Sequence, residues 1–481
     1  MVNYGFVIDN RTCIGCHACT VACKSEHDVP IGVNRTHVKY IETGTYPDSN
    51  REFSVHRCNH CEDSPCTTIC PTTALFNRED GIVDFDDERC IGCKSCMQAC
   101  PYDALYINPN TGTAAKCNYC AHRIEHSYEP ACVIVCPTES IISGDLDDPD
   151  SKISMRIKQH EVKVRKPEAK TKPNLYYVAA SDEMLDPSAT ERGAYIWTEQ
   201  AAGVGHFAKY ADKRLDAADT PSMIVQLALE MKAKEANPRD QAIIRDVAAK
   251  LADQSPKAKR AYDQPSKGIL WDGEVAGYII TKAMAAGFYI LCMLDLLLGD
   301  DLLVHIPITS VMIFVMAMLA VTGVLLVMDL DRPGRFLYVF LRPNWDSWLV
   351  RGAYIIAAFG AILTAHLAVY FLSLDPVFHK GLAILGIPTA WMAGAYTGWL
   401  LKQAKGRVEW ANKSNLSIAV SGTIEMFVFG GTLLLMGYIF TIIPLNYFSV
   451  ISMLVLTAVL YWSGFIHLRT ELRKAQMETL L

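Results

Sequence analysis

Sixteen of the 17 cysteines lie between Cys13 and Cys136, and their spacing constrains the fold more than any other feature of the chain. They form four groups of four, here termed quartets one to four in chain order. Every quartet opens with C-x-x-C and closes with C-x-x-x-C, a repeat that predicts metal binding or disulfide bonds. The quartets are Cys13, Cys16, Cys19 and Cys23; Cys58, Cys61, Cys66 and Cys70; Cys90, Cys93, Cys96 and Cys100; and Cys117, Cys120, Cys132 and Cys136.

Disulfides, zinc sites and iron–sulfur clusters are the alternatives for so many cysteines. Disulfides need an oxidising compartment, whereas residues 1–10 carry no basic region, apolar run or twin arginine that would export the domain. Closed zinc sites use two C-x-x-C pairs and do not require a third cysteine three residues on. Three thiolates on one short loop can hold three irons of a cubane while the fourth turns toward a neighbouring cluster. The repeat therefore favours four [4Fe–4S] clusters.

Quartets one and three match the C-x₂-C-x₂-C-x₃-C run of bacterial ferredoxins, and proline follows the last cysteine of every quartet except the first, where Lys24 stands. Over residues 1–180 the pattern resembles the four-cluster ferredoxin subunits of the molybdopterin oxidoreductases, such as dimethyl sulfoxide reductase and polysulfide reductase. This resemblance implies that quartets one and four exchange their last cysteines, as do quartets two and three. The implied ligand sets are Cys13, Cys16, Cys19 and Cys136; Cys117, Cys120, Cys132 and Cys23; Cys58, Cys61, Cys66 and Cys100; and Cys90, Cys93, Cys96 and Cys70.

Composition changes sharply along the chain, from polar and charged up to about residue 270 to long apolar stretches after Glu274. We predict an α+β ferredoxin-like domain over residues 1–180, a mostly helical connector over 181–272 and an all-α transmembrane bundle over 273–481. These segments are termed the ferredoxin domain, the connector and the membrane domain. The formal net charge of −6 gives no indication of a nucleic-acid partner.

The segment around the first domain boundary is basic, with eight Lys or Arg in residues 152–172. A solvated linker is the favoured interpretation, and docking on anionic lipid or on a partner is the alternative. Within the connector, helices are predicted over 221–231 and 239–251. Residues 181–270 offer no recognisable chemistry.

About six segments of the membrane domain approach the ~20 apolar residues needed to cross a bilayer. Loops on one side of these predicted spans carry eleven basic residues against one on the other side. The positive-inside rule therefore predicts a multi-pass protein of the cytoplasmic membrane, with the ferredoxin domain and both termini on the cytoplasmic side. The predicted spans are approximately 274–298, 304–328, 349–373, 378–401, 415–437 and 445–467.

Residues 329–336, 344–352 and 395–398 resemble the membrane subunit of the polysulfide reductase (NrfD) family. This second resemblance covers about 274–468 and implies binding of a quinone, menaquinone or ubiquinone, without haem. A typical member has eight spans, so features of its last two helices cannot be transferred to this chain.

Ionisable residues inside membrane spans are costly, and we treat them as functional candidates. Lys282 lies near the inner end of span one, where snorkelling to the headgroups is the alternative. Glu425 lies in the middle of span five, and His366 in the outer half of span three. Tyr396 and Trp348 could stack on a quinone ring, although interfacial belts and core packing also explain such aromatic residues.

Three histidines near the outer side of the bundle, His305, His366 and His379, could in principle ligate a haem. Two of them lie at span ends, so we do not expect one. Cys292, the remaining cysteine, suits a small core position.

Together these features predict an electron-transfer and membrane-anchor subunit of a respiratory oxidoreductase, acting between a large cytoplasmic catalytic subunit and membrane quinone. The first resemblance implies that this partner carries a molybdenum or tungsten bis-pterin cofactor, while a hydrogenase or flavoprotein donor stays open. The alternative from another class is a redox-driven ion transporter. It requires a continuous polar path, for which Lys282, His366, Glu425 and the aspartates at span ends are the available groups.

Overall fold

The structure is a computed structural model that describes residues 2–45, 48–187, 190–192, 258–262, 269–299, 308–442, 462 and 465–474. Its N-terminal part combines short strands and helices, and its C-terminal part consists of long helices, so the predicted fold class is confirmed. The strands are β1 Tyr4–Asp9, β2 His37–Thr45, β3 Asp48–His56, β4 Leu75–Asn77, β5 Val83–Phe85, β6 Tyr106–Asn108, β7 Thr113–Ala115, β8 Ile141–Asp145, β9 Val162–Lys163, β10 Leu175–Val178, β11 Glu191–Arg192 and β12 Ala258–Tyr262. The helices of the N-terminal part are α1 Ala18–Glu26, α2 Pro65–Ile69, α3 Ser95–Ala99, α4 Ala121–Ile124, α5 Ala131–Ile134, α6 Lys152–Gln159 and α7 Asp182–Leu185.

The ferredoxin domain is organised around a four-stranded sheet of order β8-β1-β10-β9. The central strand β1 is nearly all apolar and pairs parallel with β10 and antiparallel with β8. Phe6 and Ile8 are fully buried and pack toward the cysteine loops. Two short hairpins, β4-β5 and β6-β7, follow quartets two and three. The quartets thus lie in loops and short helices held between small sheets.

The basic segment 152–172 belongs to this fold, and the predicted solvated linker is wrong. Ser151 caps α6 by accepting a hydrogen bond from the Ser154 N–H at 3.2 Å. Ile153 is fully buried, Arg156 forms an ion pair with Asp9 at 3.1 Å, and β9 adds to the sheet. The charges made the segment resemble a linker, although its apolar residues pack inward.

The ends of the connector join a second sheet of order β11-β12-β2-β3. Strand β12 pairs antiparallel with β2, so the connector returns to the ferredoxin domain before the first membrane helix. The helices predicted over 221–231 and 239–251 lie outside the described residues. The domain boundaries at residues 180 and 272 stay predictions.

In the described part of the membrane domain, four helices are long and apolar enough to cross a bilayer: residues 273–298, 308–328, 348–371 and 415–435. They coincide with predicted spans one, two, three and five. Helix α12 covers predicted span four and has 27 residues but is not among those four. Predicted span six lies mostly outside the described residues, so a total of six is not confirmed. The helices are α8 Gly273–Leu298, α9 Ile308–Met328, α10 Tyr338–Leu341, α11 Trp348–Phe371, α12 Val377–Gln403, α13 Val408–Ala411 and α14 Asn415–Ile442.

Candidate functional site

The C-x-x-C loops of all four quartets share one backbone turn. In each, the residue before the second cysteine has a positive φ: 66° at Gly15, 43° at His60, 70° at Gly92 and 61° at Tyr119. A hydrogen-bonding contribution from the backbone N–H of that residue lowers the pKa of the first cysteine of its quartet and so opposes the rise that burial causes. Because left-handed backbone is easy for glycine and costly for His or Tyr, the repeated turn indicates a common requirement of the loops.

Two cavities are each lined by four cysteines, three from one quartet and the last from another. The first cavity is lined by Cys90, Cys93, Cys96 and Cys70. The second is lined by Cys13, Cys16, Cys19 and Cys136.

The other eight cysteines are grouped in the same manner. Burial and the neighbouring sulfurs of Cys117 and Cys132 raise the pKa of the Cys23 thiol. Burial and the sulfurs of Cys100 and Cys58 likewise raise the pKa of Cys66. Cys23 of quartet one therefore lies beside Cys117 and Cys132 of quartet four, and Cys100 of quartet three lies beside Cys61 and Cys66 of quartet two.

The sulfur arrangement fits a multi-iron cluster better than one ion. Among the described residues, no three Cys, His, Asp or Glu side chains approach closely enough to hold a single metal ion. A zinc ion would bring its thiolates to within about 4 Å of one another, since each Zn–S bond is about 2.3 Å. All the cysteines are free of disulfides. Burial raises the pKa of Cys19 to about 11, so without iron this thiol would be protonated at neutral pH.

Three residues among the quartets were missed by the sequence reasoning: Arg57, Lys116 and His27. Arg57 is 1% exposed and donates from Nη1 to the sulfur of Cys132 at 3.1 Å, and Lys116 is fully buried. Nε2 of His27 lies 3.2 Å from the sulfur of Cys120, and burial lowers the pKa of His27 to about 4. Arg57 and Lys116 each directly precede the first cysteine of a quartet, and this was the available signal.

The membrane domain contacts the loops of quartets two and three. Side chains that precede α8 or lie between α9 and α11 donate hydrogen bonds to backbone carbonyls of three cysteines lining the first cavity. These bonds run from Asn344 Nδ2 to Cys70 O (2.8 Å), from Arg335 Nη1 to Cys90 O (3.1 Å) and from Trp271 Nε1 to Cys93 O (3.3 Å).

A buried polar contact lies beside this interface. Nε of Arg407, in the loop after α12, donates to Oε1 of Gln98 on α3 at 2.6 Å, and both side chains are buried. Burial lowers the pKa of Arg407 to about 10, which still leaves it charged at neutral pH. The cysteine carbonyls and Gln98 thus attach the first cavity to the bundle.

Lys282 and Tyr396 come together inside the bundle, in the half that faces the ferredoxin domain. Lys282 is 1% exposed, and its ammonium donates to the hydroxyl of Thr397 and lies 4.1 Å from the centroid of the Tyr396 ring. It stands about 14 Å along α8 from Gly273, at 1.5 Å per residue. Trp348 lies nearer the interface, where it stacks on Trp399 with ring centroids 5.2 Å apart.

The structure does not bring His366 or Glu425 into the buried group around Lys282. His366 hydrogen-bonds with Tyr289 at 3.0 Å and with His379 at 2.9 Å, toward the far end of the bundle. The two imidazoles contact each other directly, whereas the ligands of a haem are separated by its iron. Glu425 has an exposed side chain, although its charge is close enough to interact with that of Lys282.

Cys292 packs in the apolar core of the bundle, as the sequence predicted. A nearby apolar cavity of about 390 Å³ lies between α8, α12 and α14. Gly287 and Trp391 are among its lining residues, and Gly287 is about 8 Å along α8 from Lys282. This volume falls within the range of small-molecule sites.

Comparison with protein-family models gives two matches. Residues 50–146 match a 4Fe-4S dicluster domain, and residues 263–420 match the polysulphide reductase, NrfD family. The first match includes quartets two to four but not quartet one, and the second includes the helices from α8 to the start of α14.

Several components of reductases are similar to this protein. The B subunit of tetrathionate reductase from Salmonella typhimurium is 43% identical over 201 residues, covering 41% of this chain and 80% of that protein. The B component of polysulfide reductase from Wolinella succinogenes is 42% identical over 178 residues, covering 36% of this chain and 93% of that protein. The arsenate respiratory reductase iron-sulfur subunit ArrB of a Shewanella species is 34% identical over 222 residues, covering 36% of this chain and 95% of that protein.

Proposed function

This chain belongs to the family of reductase iron–sulfur subunits, here continued into an NrfD membrane module, and from that premise we propose a specific electron path. The chain would carry four [4Fe–4S] clusters and transfer electrons between a catalytic reductase subunit, of the molybdenum or tungsten bis-pterin type, and quinone in the membrane. The proposed ligand sets are the four exchanged sets given by the first resemblance. Each cluster supplies a reversible one-electron couple when bound.

This proposal rests on one observation: the membrane domain is attached to the cavity lined by Cys70, Cys90, Cys93 and Cys96. Three backbone carbonyls of that loop system accept hydrogen bonds from the bundle. Electron tunnelling weakens steeply with distance, so a redox centre fixed at this interface is well placed to exchange electrons with quinone. The two cysteine-lined cavities support the exchanged ligand sets.

The catalytic subunit would dock beside quartet one. Three large apolar side chains there are exposed: Ile14 by 57%, Val21 by 65% and Ile134 by 55%. Ile14 lines the same cavity as Cys136, and α1 packs against α5. Apolar exposure of this kind indicates a protein interface.

The quinone headgroup would bind beside Lys282 and Tyr396, with Trp348 between this group and the ferredoxin domain. A buried ammonium can donate a hydrogen bond or a proton to a quinone carbonyl. The 390 Å³ apolar cavity begins about 8 Å along α8 from Lys282, at Gly287, and would suit the apolar part of the molecule. Glu425 and His366 would act in proton supply further into the bundle.

Iron analysis tests the cluster number. Four complete ligand sets should give about sixteen irons and as many sulfides in anaerobically purified protein. A Cys292→Ala variant, changed only in the bundle core, should keep that content. A reproducible eight irons or fewer, in protein that has lost no cluster during purification, would contradict the proposal.

We also propose that both termini and the ferredoxin domain face the cytoplasm, because eleven basic residues flank that side of the spans against one on the other. A reporter that is active only in the cytoplasm, fused after Leu481, should be active. Activity of a periplasm-specific reporter at the same position would reverse the orientation.

One observation favours ion translocation as a second candidate function. Tyr289, His366 and His379 form a continuous row of buried hydrogen-bonding groups in the half of the bundle remote from the ferredoxin domain. Buried ionisable groups in a membrane commonly form proton relays. Proton release by sealed vesicles during quinone-linked turnover separates this function from a simple conduit.

A further inference from the structure

Two buried cations lie among the cysteines and are not accounted for by the ligand sets. Arg57 directly precedes Cys58 in quartet two, and Lys116 directly precedes Cys117 in quartet four. Neither forms an ion pair with Asp or Glu among the residues that the structure describes. Burying an uncompensated charge carries a large desolvation penalty, so each cation needs a negative partner in its surroundings.

Each cation acts on the quartet that it does not adjoin in sequence: Arg57 on quartet four and Lys116 on quartet two. Arg57 donates from Nη1 to the sulfur of Cys132 at 3.1 Å, and its guanidinium lies 4.7 Å from the centroid of the Phe6 ring. Its buried Nε and Nη2 have no hydrogen-bond partner among the described protein atoms. Lys116 donates from Nζ to the backbone carbonyls of Val83 and Cys117, the latter at 3.0 Å. Its hydrogen-bonding and charge interactions with the sulfur of Cys58 oppose the rise that burial causes in the pKa of that thiol.

The two ligand sets concerned are adjacent, because Cys58, Cys61, Cys117 and Cys132 pack in one buried cluster. We term them the inner sets: Cys117, Cys120, Cys132 and Cys23, beside Arg57; and Cys58, Cys61, Cys66 and Cys100, beside Lys116. We propose that Arg57 and Lys116 are a crossed pair of counter-charges that raises the reduction potentials of the clusters in the two inner sets.

The physical basis is the charge of the electron. A cluster held by an inner set would gain one electron on reduction and so one negative charge, while no bond is formed or broken and no proton is transferred. A fixed cation in a buried, weakly screened position stabilises the reduced form more than the oxidised form. Guanidinium cannot lose its proton, so Arg57 keeps this effect at every working pH. The inference rests on the proposed ligand sets and adds a positioning role for two residues outside them.

The test is a redox titration followed by electron paramagnetic resonance, on the full-length chain purified anaerobically. In Arg57→Gln, the ratio of reduced to oxidised cluster at a fixed potential should fall at least tenfold, a midpoint shift of about 59 mV for a one-electron couple. Lys116→Gln should do the same to the other inner set. Arg89→Gln is the matched control, because Arg89 also precedes a quartet but is 41% exposed and paired with Asp86 at 2.8 Å. Its midpoints should not move.

Iron content is measured on every sample, which separates two kinds of failure. Too little iron in the unsubstituted chain contradicts the proposed function itself. Full iron with unchanged midpoints in Arg57→Gln and Lys116→Gln overturns the crossed counter-charges alone, as does an equal shift in Arg89→Gln. If one Gln variant does not assemble, the other decides. If neither assembles, Arg57→Lys keeps the charge and should restore the iron, and its failure to do so also overturns the inference.

Discussion

Replacing Lys282 with Met should lower quinone-linked turnover by about a hundredfold or more, which is the usual scale for loss of a positioned proton donor. Met keeps the length of the aliphatic stem and removes the ammonium, so packing around Tyr396 should change little. Reduction of the ferredoxin domain by an artificial donor should persist, because Lys282 lies in the bundle and away from the quartets. Steady-state assays with a quinone analogue and with a soluble dye measure the two activities separately.

Lys380→Met is the matched control for this experiment. Lys380 is an exposed lysine in the first turn of α12, at the opposite end of that helix from Tyr396. Tyr396→Phe tests whether the hydroxyl, and not only the ring, takes part. Unchanged quinone kinetics in Lys282→Met and Tyr396→Phe, or bound quinone found only in the half remote from the ferredoxin domain, would refute this placement of the site.

Replacing Cys23 with Ala should eliminate or convert the cluster assigned to Cys117, Cys120 and Cys132, although Cys23 belongs to quartet one by sequence. The reason is spatial, because the Cys23 thiol is buried beside Cys117 and Cys132. The cluster assigned to the cavity of Cys13 should keep its paramagnetic resonance signal. Spectra of the reduced variant, compared with those of the unsubstituted protein, show which signal is lost.

Cys292→Ala serves as the control here, since it removes a buried thiol that no ligand set uses. Its four cluster signals should be unchanged. Selective loss of the signal from quartet one's own cavity in Cys23→Ala would show that the last cysteines are not exchanged.

Local spacing was sufficient to predict the chemistry of the quartets and the position of the long helices. A C-x-x-C loop closes within a few residues, and an apolar run of about 20 residues is itself the signal for a span. The basic segment 152–172 was misassigned because the contacts that order it are not local. Its charges are visible in the sequence, whereas Asp9, the ion-pair partner of Arg156, lies in a distant strand. The sequence placed Glu425 in the middle of span five, but periodicity alone does not decide which face of an apolar helix is covered, and the structure leaves this side chain exposed.

The sequence by itself therefore predicted sixteen cysteines as cluster ligands, and it determined the ferredoxin-like domain and the membrane character of the helical part. Only the tertiary structure placed Asn344 on the carbonyl of Cys70, 274 residues away, and Arg57 on the sulfur of Cys132. It also brought Lys282 to Thr397 and Tyr396 from separate helices. The physical reason is that residue spacing governs contacts within one turn or loop. Contacts between distant segments depend on how whole elements pack, which no local pattern encodes.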